Sequence, residues 1–414
     1  MTIKNSVLFI AMAMGLGNIV YFALFLYFNK YLPAPFVLDK NDTFMDFYNP
    51  LFWVLKDEFY TTYKSVYPPI NYFFLKLFTF NLDASSFSSS FQLREAKSNL
   101  IYYLLAINAV IIFLILKIGD WREVAIRKHK LIWIAIFFST PVLFAMERGN
   151  LIFLSLLVLA IYIAVENIWV KAITFALLVN IKPYFIFLLI EYLNIYRFDL
   201  KIILKITMTS ALMFLLTSML AGLNIATFIN NYNDFGLQAS FSNGLIALPN
   251  TFESIIQLIK SIPKNNEYYY LFEFFLLPLK ILKIFVPVTF VLIILVTPLK
   301  EQALKVAAIL LIGNFSHITS GYIYLIYILI VPFLMREVEL RKGIYLLLII
   351  FVLPLDWVRM PGFSANFEFI NSYLGGAEIY NADFWIGIGT LVRPISNFIL
   401  MCLMFKYIIT SKNA

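Results

Sequence analysis

The chain has 414 residues, of which 62% are apolar and only 14% are charged. Soluble domains carry about 25% charged residues, so this composition excludes an ordinary soluble protein. The formal net charge of +8 does not indicate nucleic-acid binding, because the basic residues gather in short connections between apolar runs, as at 122–130 and 336–342.

Apolar runs near 20 residues in length recur along the chain, and runs of this length can cross a hydrocarbon core of about 30 Å. The pattern predicts an all-α, polytopic transmembrane protein of about 11–13 spans in one domain, residues 1–414, with interfacial helices in its long first outer loop. The predicted spans lie at 6–28, 99–118, 131–146, 150–166, 171–181, 184–197, 202–222, 276–297, 303–316, 321–335, 343–360 and 384–409.

The two short runs at 171–181 and 184–197 meet at Lys182-Pro183. Proline lacks a backbone donor and disfavours helix in the residue before it, so we expect the chain to break there. A hairpin that enters and returns on one side keeps the basic connections on the cytoplasmic side, as the positive-inside rule requires. The long loops then lie outside, at 29–98, 223–275 and 361–383.

Metal-binding residues are scarce. The single cysteine, Cys402, excludes an intrachain disulfide and a cysteine metal site. The two histidines, His129 and His317, are too few for a His/Cys cluster. No cofactor is predicted, although the spacing of Asp39, Asp42 and Asp46 leaves a carboxylate-bound divalent ion open.

Four polar groups fall on the predicted outer face, where a carboxylate is costly unless it has a function or a partner. They are Asp46-Phe47-Tyr48 with Tyr67-Pro68-Pro69, Glu147-Arg148-Gly149-Asn150, Asn180-Ile181-Lys182-Pro183-Tyr184, and the segment 316–322. A carboxylate can deprotonate an attacking hydroxyl, and arginine and lysine can hold a phosphate. Together they predict a site for an anionic, lipid-attached group.

These groups resemble motifs of the GT-C superfamily of integral-membrane glycosyltransferases, and most closely glycosyltransferase family 87, whose mannosyltransferase-like members use polyprenyl-phosphate sugars. In that family an Asp-Phe pair with a nearby Tyr is followed by Tyr-Pro-Pro, by Arg-Gly-Asn or Arg-Gly-Gln, and by Lys-Pro. The resemblance covers about residues 1–335. It departs at 314–317, which lacks the Pro and Trp that often stand near the family's histidine.

The resemblance implies that Asp46 is the catalytic base of an inverting reaction, with Asp42 as the alternative base. Arg148 and Lys182 would face the phosphate of the donor and stabilise the charge that develops on it. Further substrate contacts are expected from His317, Tyr322, Tyr48, Tyr67 and Asn150.

Less specific interpretations stand beside these roles. Asp46 could be one of several solvated acids in its loop, and Arg148 could be an interfacial side chain that pairs with Glu147. His317 could be a polar residue at a helix end. Lys182 lies within an apolar stretch and therefore needs a partner.

The resemblance implies a GT-C-like helical bundle and a membrane-embedded transferase whose site lies at the outer face of the cell membrane. It would move a sugar from a polyprenyl-phosphate donor to a glycolipid, a lipid-linked glycan or a cell-surface polymer. The alternatives are a polymerase or ligase that joins lipid-linked oligosaccharides, and a flippase or transporter. The loop 223–275 is poor in arginine, which disfavours the first alternative, and the absence of an internal sequence repeat disfavours the second.

Overall fold

The structure is a computed structural model that describes residues 16, 43–118, 140–238, 266–315, 321–351, 359–371, 378–387 and 389–410. The predicted first span at 6–28 and the connection at 119–130 lie outside these residues, apart from residue 16. So do Asp39, Asp42 and His317. The described part is a helical bundle with one two-stranded sheet.

The α-helices are α1 Met45–Leu55, α2 Pro69–Lys76, α3 Ser90–Ala96, α4 Leu100–Ile118, α5 Thr140–Arg148, α6 Ile152–Ala164, α7 Ile168–Ile181, α8 Ile190–Leu193, α9 Leu200–Leu220, α10 Ile225–Gln238, α11 Asn266–Val296, α12 Glu301–Phe315, α13 Val331–Arg336, α14 Lys342–Phe351 and α15 Gly389–Thr410. Segments of 3₁₀-helix lie at Ala84–Ser86, Pro183–Leu189, Gly321–Ile330 and Val338–Leu340. The strands are β1 Arg359–Asn371 and β2 Glu378–Gly387.

Among the described residues, two helical segments are long and apolar enough to cross a membrane, Leu200–Leu220 and Val392–Thr410. A third candidate combines Ser90–Ala96 with Leu100–Ile115, which are bent by 83° at their junction. Helix α9 exposes many of its apolar side chains, with Met208 67% exposed and Met219 77% exposed, and it buries Ile206 and Ser218. Such exposure is costly in water and is normal against lipid.

The described part of the first long loop, residues 43–98, is folded rather than extended. Its helices α1, α2 and α3 enclose a core of their own, in which Phe47, Leu51, Val54, Leu75 and Leu93 have no exposed surface. Complete burial of such side chains stabilises a fold by about 1.5–3 kcal/mol each relative to exposure. The loop is therefore a rigid layer over one end of the bundle.

The helix break at Lys182 is confirmed. Helix α7 ends at Ile181, and Lys182 adopts an extended backbone with φ −141° and ψ 108°. The chain resumes as a 3₁₀-helix at Pro183, whose ring cannot donate the hydrogen bond that would continue α7. Helix α7 and the 3₁₀-helix are the two halves of a hairpin, and Lys182 lies at its tip.

Four charged residues close the other end of this hairpin, and we call them the base network: Lys171, Glu191, Glu301 and Lys305. The two ammonium groups donate to Glu301 Oε1 at 2.6 and 2.9 Å, and each lies 4.0 Å from Glu191 Oε1. Glu191 is only 3% exposed. The formal charges of these four residues balance, and the network joins α7, α8 and α12. Arg197 lies at its edge, with Nη1 at 3.7 Å from Glu301 Oε2.

The expectation of an all-α chain is wrong at the predicted third outer loop, 361–383. Strands β1 and β2 pair antiparallel there, with Asn366 opposite Asp383. The sequence of β1 alternates apolar and polar residues from Phe363 to Phe369, a period of two that favours a strand. The predicted final span at 384–409 consequently starts later, at Gly389.

Candidate functional site

Asp46 lies in the first turn of α1, at the start of the folded first loop. The residue before this helix, Phe44, has a left-handed backbone with φ 63°. Its N–H donates to the carbonyl of Glu147 at 2.7 Å. This bond fixes the start of α1 against the end of α5, so that Asp46 faces the turn that follows.

The turn Arg148-Gly149-Asn150 presents two side chains to Asp46. Gly149 has φ +66°, and a Cβ added to it would lie 2.9 Å from Cβ of Phe47. Glycine is required there both for the left-handed backbone and for the close approach of α1. The Asn150 carbonyl oxygen Oδ1 accepts from the N–H of Ile152 at 3.0 Å, which orients the amide.

The carboxylate of Asp46 is held on both of its oxygens. Arg148 donates from Nε and Nη2 to Oδ1 at 3.2 and 2.5 Å, and Asn150 Nδ2 donates to Oδ2 at 2.7 Å. The Asp46 and Arg148 side chains are only 16% and 18% exposed. Charge-assisted bonds of this kind are short and strong, and they fix the orientation of the carboxylate.

Lys182 is buried beside two aromatic rings. It is 8% exposed, and its Nζ lies 4.9 Å from the centroid of the Tyr67 ring and 5.9 Å from that of Tyr322. In the described part of the chain no group accepts a hydrogen bond from this ammonium, and no carboxylate lies within ion-pair distance of it. The rings attract the cation but leave its three donors available.

Burial lowers the pKa of Lys182 to about 8, and the negative charge of Asp46 acts in the opposite direction. Burial also raises the pKa of Tyr67 well above its usual value, and the nearby charge of Asp46 adds to this shift. The Tyr67 hydroxyl therefore stays protonated at neutral pH and can act as a hydrogen-bond donor. The Tyr322 ring also stacks on Phe144, at 5.8 Å between ring centroids.

The sequence-predicted residues thus fall into three sets. The structure brings six of them together, and we call this set the Asp46 cluster: Asp46, Tyr67, Arg148, Asn150, Lys182 and Tyr322. Tyr48 has a different role, because its side chain is fully buried and its hydroxyl donates to the carbonyl of Lys97 at 2.8 Å. Asp42 and His317 lie outside the described residues.

The sequence analysis missed one residue beside the cluster, Asn71, whose amide bridges the first loop and the hairpin. A polar residue in the otherwise apolar helix after Tyr-Pro-Pro was the available signal. Within the described ranges no group of three or more His, Cys, Asp or Glu side chains could hold a metal ion.

Comparisons with known proteins add no relative: no protein-family profile, curated protein or solved structure matches this chain. The geometry of the Asp46 cluster is therefore the basis for assigning its chemistry.

Proposed function

We propose that the protein is an inverting glycosyltransferase of GT-C type that takes a sugar from a polyprenyl-phosphate donor. The observation that carries this proposal is the convergence of a held carboxylate, Asp46, with the buried ammonium of Lys182, which pairs with no anion among the described residues. One group suits the abstraction of a proton, and the other suits the binding of a phosphate. Both have aromatic neighbours of the kind that pack on sugar faces.

Asp46 is the proton acceptor in this proposal. A carboxylate has about four lone-pair sites. Arg148 and Asn150 together donate three hydrogen bonds to Asp46, so at least one site is left for another donor. A remaining site accepts the proton of the acceptor hydroxyl while that oxygen forms a bond to the anomeric carbon. The bond from the anomeric carbon to the phosphate oxygen breaks, and polyprenyl phosphate leaves with the electron pair. One carboxylate suffices for this inversion.

Lys182 stabilises the leaving group. The phosphate gains negative charge as the glycosidic bond breaks, and a fixed ammonium in a site with little water stabilises that charge more than it stabilises the donor. With a pKa of about 8 the side chain is mostly protonated at neutral pH. An anion next to it raises that pKa further, so that donor binding holds the charge in place.

The membrane arrangement follows from the charges of the connections. We propose a multi-pass protein of the cell membrane, because the basic connections between apolar segments share one side. The Asp46 cluster and the base network occupy opposite ends of α7, so the cluster faces the extracytoplasmic side. Nucleotide sugars are confined to the cytoplasm, and a lipid-linked donor is what an outward-facing site requires. The acceptor is a glycolipid, a lipid-linked glycan or a cell-surface polymer.

The test is transfer of radiolabelled sugars from a panel of polyprenyl-phosphate donors to a mixed glycolipid extract by the protein in lipid. Asp46→Asn removes the base and keeps the shape of the side chain, so we expect transfer to fall at least about a hundredfold. Asp234→Asn is the matched control, since Asp234 is an exposed acid that pairs with Lys64 at 3.6 Å, away from the cluster. Full transfer by Asp46→Asn would remove Asp46 from the mechanism.

Transfer of whole oligosaccharide blocks, seen as a product ladder with steps of several sugars, would instead favour a polymerase or ligase. Movement of an unchanged donor across sealed vesicles would favour a flippase.

A further inference from the structure

Asn71 lies between the two backbone segments that carry the ring and the ammonium of the Asp46 cluster. It is 1% exposed. Its Nδ2 donates to the carbonyl of Pro68 at 3.1 Å and to the carbonyl of Ile181 at 3.1 Å. Pro68 directly follows Tyr67, and Ile181 directly precedes Lys182. One amide group therefore ties together the residues that neighbour both members of the cation–π pair.

The Ile181 carbonyl needs such a donor. The last carbonyls of a helix have no partner within the helix, and α7 ends at Ile181. Pro183 has no N–H, and the next turn begins with Phe185, which donates to the carbonyl of Lys182 at 3.2 Å. The Asn71 amide satisfies the orphaned carbonyl from another element. The cap on α7 is thus supplied by the first loop.

The same contact sets the distance between the Tyr67 ring and the Lys182 ammonium. Tyr67 is itself restrained, because its N–H donates to Ser65 Oγ at 3.2 Å and its carbonyl accepts from the Tyr60 hydroxyl at 3.1 Å. Lys182 is restrained by its own N–H, which donates to the Leu178 carbonyl at 2.8 Å. Each segment is thus fixed within its own element, and Asn71 fixes the two elements against each other.

We propose that Asn71 is a positioning residue, which holds the Tyr67 ring against the Lys182 ammonium and so maintains the phosphate-binding geometry of the Asp46 cluster. The expected effect of Asn71 variants on sugar transfer rests on the proposed function. Their expected effect on the pKa of Lys182 does not rest on it, and the two effects are measured separately.

The test compares Asn71→Ala and Asn71→Leu with the control Asn194→Ala. Asn71→Leu keeps the approximate size of the side chain and removes the donor without adding a charge. Asn194 is a buried asparagine of the same kind, whose Nδ2 donates to the carbonyls of Ile294 and Thr297 at 2.5 and 2.8 Å. It follows α8 and ties the base of the hairpin to the end of α11, away from the contacts that restrain Tyr67 and Lys182. Thermal unfolding establishes that the variants fold and lose comparable stability.

The primary measurement is competitive acetylation of Lys182 across a pH series, quantified by mass spectrometry of the full-length protein in lipid. Wild type should label with a midpoint near pH 8. Loss of the tie admits water, so both Asn71 variants should shift this midpoint upward by about one pH unit, towards that of an ordinary lysine. Asn194→Ala should keep the wild-type midpoint. An unchanged midpoint in the folded Asn71 variants would overturn the inference, as would an equal shift in Asn194→Ala.

Transfer assays form the second arm. A shifted midpoint with a raised KM for the lipid-phosphate donor supports the positioning role in catalysis. A shifted midpoint in a protein whose wild type transfers no sugar, moves no donor and joins no oligosaccharide supports the tie and counts against the proposed function. Lost transfer with an unshifted midpoint would contradict the positioning role.

Discussion

The ammonium of Lys182 lies 4.9 Å from the centroid of the Tyr67 ring, although one residue comes from the first loop and the other from the tip of the hairpin. No described anion neutralises this ammonium. Helix α7, which ends just before Lys182, carries a second buried lysine near its start, Lys171, which is paired in the base network. Two lysines at opposite ends of one helix thus have opposite electrostatic situations, and they give opposite predictions.

Replacing Lys182 with Met should stabilise the protein while it abolishes transfer. A pKa lowered from 10.5 to about 8 corresponds to a cost on the order of 3 kcal/mol for keeping the ammonium charged at that position. Methionine removes the charge and keeps most of the length of the side chain. Thermal unfolding in lipid measures the gain, and Lys182→Arg is the control that retains a cation. A lower melting temperature for the Met variant would contradict the assignment of Lys182 as unpaired.

Replacing Lys171 with Met should destabilise the protein by about 3–5 kcal/mol, because it removes one of the two ammonium groups near the buried Glu191. The double variant Lys171→Met with Glu191→Gln should recover part of the loss, since neither uncompensated charge then remains. Chemical unfolding of the single and double variants measures the coupling. Equal stability of the wild type and the single variant would show that the base network contributes nothing.

The pH dependence of stability should carry the signature of Lys182. Its pKa is about 8 in the folded protein and 10.5 in the unfolded chain, so between these values the unfolded state binds more protons. The free energy of unfolding of the wild type should therefore rise between about pH 8 and about pH 10.5. The stability advantage of Lys182→Met over the wild type should shrink over the same range. The kcat/KM for the donor should fall above pH 8, because the ammonium of the unliganded protein loses its proton there. A difference between the two proteins that does not change with pH would exclude the lowered pKa.

Gly149→Ala should impair both folding and transfer, and Gly222→Ala is its matched control. Both glycines have a positive φ, +66° and +62°, but a Cβ at Gly222 meets nothing within 4 Å. The control should cost about 1 kcal/mol from backbone strain alone. At Gly149 the clash with Phe47 adds about 1–3 kcal/mol and displaces Asp46 from Arg148. Equal losses in the two variants would show that close packing at Gly149 is unimportant.

The features that depend on neighbouring residues alone could be predicted from the sequence. The break at Lys182-Pro183 follows from the missing donor of proline, and the helical segments follow from apolar runs. The convergence of Asp46, Arg148 and Lys182 was expected from a shared membrane side, but their pairing was not. A sequence does not reveal that Arg148 would donate to Asp46, because this depends on the left-handed turn at Gly149 and on the bond between Phe44 and Glu147.

Other features were missed because they depend on tertiary structure or were outweighed by composition. The strand period in β1 was overlooked in a chain where apolar content points to helices. The base network could not be predicted, since Lys171, Glu191 and Glu301 are far apart in sequence and read singly as ordinary charges at helix ends. Tyr48 was assigned to substrate because of its motif, whereas the packing of the first loop turns its hydroxyl towards Lys97.

The length of α7 has a consequence for the lipid around the protein. Its 14 residues extend about 21 Å, which is about 9 Å less than the thickness of an ordinary hydrocarbon core. In the proposed topology, a hairpin of this reach leaves Lys182 below the level of the outer headgroups. The bilayer next to the hairpin must then become thinner, or the phosphate of the lipid carrier must lie deeper than the surrounding lipid headgroups to contact the ammonium. Bilayers with shorter acyl chains should therefore support faster transfer than thicker ones.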